Sequence, residues 1–267
     1  MTWDPGQYLK YATERLRPAL DLMAHVPLAQ PRTIVDLGCG AGNVTRILSE
    51  RWPAAQITAV DNSPAMLAKA RATLQGNPRV SWLEADLAAW AEAPPSGGID
   101  LVYSNAALHW LPGHAALFPR LFATVAENGV LAVQMPSNFD APSHVALAEI
   151  AAGPRFGSRL RALVGPTPVA SAAQYFDWLA PLAQTIDAWT TEYLHVLPPT
   201  EDGEHPVVAW TRGTALTPFL SALDASAQRA FVAEYAERVA AAYPPRPDGR
   251  VLFAFRRLFV VATRSKR

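Results

Sequence analysis

The residues best placed to do chemistry lie in one run, Val35-Asp36-Leu37-Gly38-Cys39-Gly40-Ala41-Gly42-Asn43. It follows an apolar stretch and opens a helix-like one, the context a nucleotide-binding turn requires. Glycines in such a turn accept positive φ and let a ligand lie against bare backbone. The spacing is G-x-G-x-G, not the G-x-G-x-x-G that makes room for a pyrophosphate. Asp36, just before the first glycine, would sit poorly beside a phosphate. It suits a ligand carrying a positive centre and an ammonium group. Asp61 follows about 20 residues on, where an acid can take both ribose hydroxyls. Asp86 can accept from an adenine amino group. Any one of these acids could simply cap a helix, worth about 1 kcal/mol. Three at successive strand ends favour a ligand.

Elements must exist to hold those acids. Thr33–Leu37, Gln56–Asp61, Val80–Glu84, Ile99–Ser104 and Val130–Gln134 read as short buried strands. Between them, Asn43–Trp52, a stretch opening at Ser63-Pro64, a stretch around Trp90 and Leu117–Val125 read as helices. Ser63 is an N-cap with proline at the first helical position. Strand–helix alternation with near-continuous apolar strands predicts a parallel α/β sheet covered on both faces. The second half differs: helices near Pro142–Ala152 and Ala225–Ala242, Pro-rich turns, and two longer strands, Thr185–Leu197 and Val251–Thr263. These two strands are placed at the sheet's edge as an antiparallel pair. The helices between them are expected to form a lid over the carboxyl ends of the parallel strands, where open α/β sheets bind ligands. The expectation is one domain over 1–267. Its core covers about 30–136 with edge strands at about 185–197 and 251–263, and its lid segments about 1–28, 137–184 and 198–250.

Composition narrows the function classes. At 267 residues the chain can bury roughly 70–75% of its unfolded surface without a disulfide or metal staple. Half of it is hydrophobic and 17% charged, which excludes intrinsic disorder. Lys+Arg and Asp+Glu both count 23, so the basic surplus of a duplex-binding protein is missing and no nucleic-acid partner is expected. One cysteine fits a reducing compartment. No apolar signal-peptide core is visible, and the late run VLFAFRRLFVVA is split by Arg256 and Arg257. A cytoplasmic protein without a membrane partner is expected. No H-x-x-x-H pair or Cys/His cluster suggests a metal, and no G-x-S-x-G elbow suggests a hydrolase.

With these motifs assembled, DLGCGAG, Val60-Asp61, EADL at 84–87 and DLVYSNAALHWL at 100–111 resemble the Rossmann-like class I S-adenosylmethionine-dependent methyltransferases. More specifically, WDPGQYLKYATERLRP at 3–18, VLAVQMP at 130–136 and YPPRPDGRVLFAFRRLFVVA resemble the bacterial trans-aconitate 2-methyltransferase family. The resemblance implies a seven-stranded sheet with a reversed last hairpin and S-adenosylmethionine as cofactor. It implies methyl transfer to a carboxylate of trans-aconitate, giving a monomethyl ester. Carried over, it puts Gly38 and Gly40, with Asp36, Leu37 and Cys39, against the methionyl part of the cofactor. It puts Asp61 and Asn62 at the ribose, and Met66, Ala85, Asp86 and Leu87 around adenine. Asn105 and Ala106 would face the sulfonium, His109 and Trp110 would lie near the transferred methyl, and Tyr8 would close over the cofactor. Holding a polycarboxylate calls for arginines, and the candidates are Arg15, Arg212, Arg250 and Arg257. Thr217 and Ala254 stand where the family pattern has arginine. A different small acid or hydroxyl acceptor, or a non-catalytic cofactor-binding protein, therefore stays open.

Overall fold

In the computed structural model, residues 12–92 and 98–266 are described. The first described helix is α1 (Ala12–Ala24), followed by β1 (Thr33–Leu37), α2 (Asn43–Arg51), β2 (Gln56–Asp61), α3 (Pro64–Thr73), β3 (Val80–Glu84), α4 (Leu87–Glu92) and β4 (Ile99–Asn105). A 3₁₀ turn at Leu108–Trp110 leads to α5 (His114–Ala123) and β5 (Val125–Pro136). Then come α6 (Pro142–Ala152), α7 (Gly157–Leu160), α8 (Ala172–Leu179) and β6 (Ala183–Leu197). The chain ends with α9 (Pro206–Arg212), α10 (Thr217–Ser221), α11 (Ala225–Ala242) and β7 (Val251–Arg264).

The seven strands form one sheet in the order β3-β2-β1-β4-β5-β7-β6. β1 to β5 are parallel to their neighbours, and β7 runs antiparallel to β5. The expected mostly parallel sheet with two late strands at one edge is therefore observed, with β6 outermost. Strand β5 begins earlier than the apolar pattern suggests. Its register with β4 shifts between Ile99 and Leu101, and Asn128 within it has φ 59°. Leu101, Val102, Tyr103 and Ser104 are consecutive and fully buried, which requires cover on both faces of β4. α1 contributes some of that cover: the Tyr103 hydroxyl donates to the Ala19 carbonyl at 2.6 Å.

Two compact units divide the chain. Of the described residues, one comprises 16–92, 98–136, 168–191 and 257–266; the other comprises 12–15, 137–167 and 192–256. The first contains β1 to β5 and the glycine turn. The second has a separate core around Phe156, Trp210, Phe231, Tyr235 and Phe253, in which α6 packs on α11. Among the described residues no helix is long and apolar enough to cross a membrane.

Candidate active site

The glycine turn is tied to β2 by backbone bonds. The Gly38 and Cys39 amides donate to the Val60 carbonyl at 2.8 and 3.0 Å, and the Gly40 amide donates to the Asp61 carboxylate at 2.9 Å. Gly38 and Gly40 both have positive φ, for different reasons. A Cβ on Gly38 would lie 2.1 Å from Ala107 Cβ, so the turn can pack on the residues after β4 only as glycine. A Cβ on Gly40 would meet no atom of the described residues within 4 Å, so the backbone there is open to a ligand's approach.

The three acids sit as differently as their strands dictate. Asp36 is 1% exposed and accepts from Thr45 Oγ1 at 2.6 Å. Burial pushes its carboxyl up to about 7; the Thr45 bond opposes this, and the nearby charge of Asp61 adds to it. Asp61 stays half-buried at the end of β2, holding the Gly40 and Ser63 amides, each at 2.9 Å. Asp86 is exposed and accepts through Oδ1 from the Ala88 and Ala89 amides, so it does cap α4. Ala85 donates to the Asp61 carbonyl at 3.1 Å, which brings the ends of β2 and β3 together. Leu87 lies close enough for its Cδ1 to meet a Gly38 Cβ at 3.6 Å. Met66 is buried on α3, and Asn62 is exposed beside Asp61. Leu37 is fully buried. Cys39 is buried too, and burial followed by the charges of Asp36 and Asp61 raises its thiol pKa, so the thiol stays protonated.

After β4 the chain turns through Ala106, whose φ is 53°. An alanine in the left-handed region costs about 1–2 kcal/mol, held here by a 2.9 Å bond from its amide to the Gln134 carbonyl. Strain of this kind concentrates at ligand sites. Asn105, one residue earlier, has a buried Oδ1 with no hydrogen-bond partner among the described residues. The next turn presents His109 and Trp110, their rings 4.7 Å apart. Trp110 is 61% exposed. His109 is half-buried, and its Nδ1 is buried without a partner among the described residues. Burial, then the positive charge of Arg257, then His114, push its pKa down to about 3, so the imidazole is neutral at pH 7.

That turn is pinned from behind by His114, a residue with no expected role beyond failing to make a metal site. His114 Nε2 lies 3.0 Å from the Leu108 carbonyl and Nδ1 lies 2.5 Å from the Tyr175 hydroxyl. A carbonyl only accepts, so Nε2 carries the proton and Tyr175 donates to Nδ1. Tyr175 hydroxyl in turn accepts from the Ala170 amide at 3.2 Å. Tyr175→Phe is expected to lower the melting temperature by a few degrees, reflecting about 1–3 kcal/mol for a buried acceptor left unmet. An unchanged thermal melt would show that this relay does not hold the turn.

The candidate arginines part company. Arg257 is 4% exposed, sits on β7 opposite Pro136, and is close enough to His109 to depress its pKa. Arg212 grips Glu204, its Nε 2.8 and 2.9 Å from the two carboxylate oxygens. Arg250 is exposed and bonded to Asp248 at 2.7 Å. The Arg15 side chain and Tyr8 lie outside the described residues. Thr217, at the start of α10, donates to the Arg212 carbonyl at 2.9 Å. One polar residue at the strand ends had been assigned no role: Gln134, inside VLAVQMP. A lone amide within an otherwise apolar strand was the available signal.

Comparison with known proteins agrees with this geometry. Residues 34–129 match a family described as a methyltransferase domain. The chain is 49% identical to trans-aconitate 2-methyltransferase of Methylobacterium nodulans, covering 99% of both chains. It is 48% identical to the protein of the same name from Azoarcus, covering 98% of this chain and 99% of that one. Among solved structures, the Haemonchus contortus phosphoethanolamine N-methyltransferase 2 in complex with S-adenosyl-L-methionine shares the fold. Its TM-score is 0.58 at 15% identity, over 98% of this chain and 56% of that one. The chain thus spans about half the length of that enzyme. The YcgJ protein from Bacillus subtilis matches with a TM-score of 0.57 at 13% identity, over 93% of this chain and 97% of that one. A seven-stranded class I sheet, a G-x-G-x-G turn flanked by acids, and full-length identity approaching one half lead to one assignment: the chain belongs to the trans-aconitate 2-methyltransferase family.

Proposed function

We propose that this protein transfers the methyl group of S-adenosylmethionine to one carboxylate of trans-aconitate, releasing a monomethyl ester. The observation that carries this reading is the buried guanidinium of Arg257 beside the uncharged imidazole of His109, at the C-terminal edge of the sheet. That arrangement suits an anionic acceptor, and relatives alike over 99% of their length bear the corresponding name. The partner is a small acid rather than a nucleic acid, and a cytoplasmic setting suits the single buried cysteine.

The cofactor fits the residues present. The open space above Gly40, the fixed carboxylate of Asp61 and the orphaned Oδ1 of Asn105 form a set of backbone and acceptor groups suited to a cationic nucleoside. Gly38, Gly40, Asp61, Met66, Asp86, Leu87, Asn105 and Ala106 would hold it. When bound, S-adenosylmethionine supplies an electrophilic methyl group.

The protein's own task is then positioning. A carboxyl group has a pKa near 4 and is already ionised at pH 7, so no residue need remove a proton. His109, uncharged, cannot supply the counter-charge, and Arg257 does. Orientation of reacting groups can supply about 7–11 kcal/mol of barrier lowering. A carboxylate held among buried strand residues also sheds water, which leaves it a stronger nucleophile.

Asp36 gives the reading a pH signature. A carboxyl lifted to about 7 is partly protonated at neutral pH, and a bound cation favours its ionised form. Cofactor affinity is therefore expected to rise with pH through about 7, and binding at pH 7 to release up to about half a proton. For folding the sign is opposite: a raised acid pKa means stability present below about pH 4 and lost as pH rises through about 7. Calorimetry in buffers of different ionisation enthalpy measures the proton. No release at pH 7, or the same release from Asp36→Asn, would contradict this role. The reaction itself is tested by mass spectrometry of trans-aconitate incubated with protein and S-adenosylmethionine. The monomethyl ester is expected; its absence while S-adenosylhomocysteine still binds would move the acceptor elsewhere.

A further inference from the structure

Gln134 lies in β5 among Val130, Leu131, Ala132, Val133 and Met135, all fully buried, and is itself 0% exposed. Among the described residues its carboxamide has no hydrogen-bond partner at either Nε2 or Oε1. A buried amide lacking both bonds works against folding, and leucine or methionine would serve the strand better. Such a group calls for a partner beyond the described residues.

Sheet register says where. Gln134 stands between Asn105 on β4 and Phe259 on β7, and Pro136 stands opposite Arg257. Side chains alternate along a strand, so Asn105, Gln134, Phe259 and Arg257 share one face. It is also the face of Tyr103, which pairs with Asp36 on β1. Asn105 Oδ1, which also lacks a partner among the described residues, can only accept and repels a carboxylate, while the neutral His109 ring carries a single N–H. On this face the Gln134 amide and the Arg257 guanidinium both supply donors to an anion. An amide adds two directed N–H groups without burying a second charge.

We propose that Gln134 determines acceptor specificity by donating to the carboxylate that Arg257 neutralises. This rests on the acid-methylating function above and names a residue that reads one carboxylate of that acceptor. Gln134→Met keeps the volume and removes the hydrogen bonds, so it separates function from folding. Acceptors would be trans-aconitate and the three dicarboxylates mesaconate, cis-glutaconate and itaconate, each lacking a different one of its three carboxylates.

With Gln134→Met, kcat/KM for trans-aconitate should fall about 10- to 100-fold, chiefly through KM. For the dicarboxylate that lacks the recognised carboxylate, it should fall less than about twofold, because there is no bond to lose. Affinity for S-adenosylmethionine should stay within about a factor of two, and the melting temperature should rise. Gln134→Glu, which faces the acceptor with a like charge, should be worse on trans-aconitate than Gln134→Met. Equal losses on all four acceptors, weakened cofactor binding, or a lower melting temperature in Gln134→Met would each overturn the proposal. Wild-type protein inactive on trans-aconitate would instead overturn the functional reading on which it rests, and the role of Gln134 with it.

Discussion

Arg257→Met is expected to lower kcat/KM for trans-aconitate by about two to three orders of magnitude, with S-adenosylmethionine affinity unchanged. The size follows from removing one partner of a buried charge pair, typically 2–5 kcal/mol, or roughly 30- to 5,000-fold. Arg257 is 4% exposed, so its charge is little screened by water. Arg257→Lys should recover only part of the loss, because lysine restores the charge but not the planar pair of donors. Arg212→Met and Arg250→Met should do far less to the acceptor's KM, since Glu204 and Asp248 already engage those guanidiniums. Steady-state kinetics on the variants decides it. A KM for trans-aconitate unchanged in Arg257→Met would remove this arginine from the acceptor site.

The second large effect separates two glycines of the same turn. Gly38→Ala would drive a Cβ to 2.1 Å from Ala107 Cβ at a φ of 78°, and the neighbour is a short side chain with no room to swing away. A loss of about 3–5 kcal/mol in stability is expected from clash and backbone strain together. Adding Ala107→Gly removes the clashing atom and should return part of that loss, a coupling a double-mutant cycle would measure. Gly40→Ala meets no atom within 4 Å and should lose only about 1–2 kcal/mol to its left-handed φ. The cofactor, however, should bind at least about tenfold more weakly, because the new methyl stands where a ligand would approach the backbone. Denaturant melts with cofactor titration read both quantities. Gly40→Ala with unaltered affinity would show that the ligand does not approach the turn there.

Much of the fold was legible because its signals are local. Short apolar runs, the Ser63-Pro64 helix start and glycines after β1 each state their own structure, and strand alternation does the rest. What the remaining residues do depends on what lies across the sheet. Arg256 and Arg257 are adjacent and chemically identical. In the structure Arg256 holds the Ser137 carbonyl at 3.0 Å, while Arg257 is buried near His109. Only the register of β7 against β5 tells them apart. Arg212 and Arg250 could be recognised as cations, but the carboxylates that occupy them are set by loop conformation. Ala106 carries no hint of its positive φ, because alanine ordinarily avoids that region; the bond to Gln134 holds it there. Gln134 itself was visible as an amide in an apolar strand, yet its lack of partners is a property of the packed sheet alone.

The most direct test of the central claim is initial-rate transfer of a labelled methyl group from S-adenosylmethionine, with trans-aconitate, cis-aconitate and citrate as parallel acceptors. The expected result is transfer to trans-aconitate at least about tenfold more efficient than to either other acid, a difference of about 1.4 kcal/mol in the transition state. Equal rates on all three, or none on trans-aconitate while S-adenosylhomocysteine binds, would contradict it.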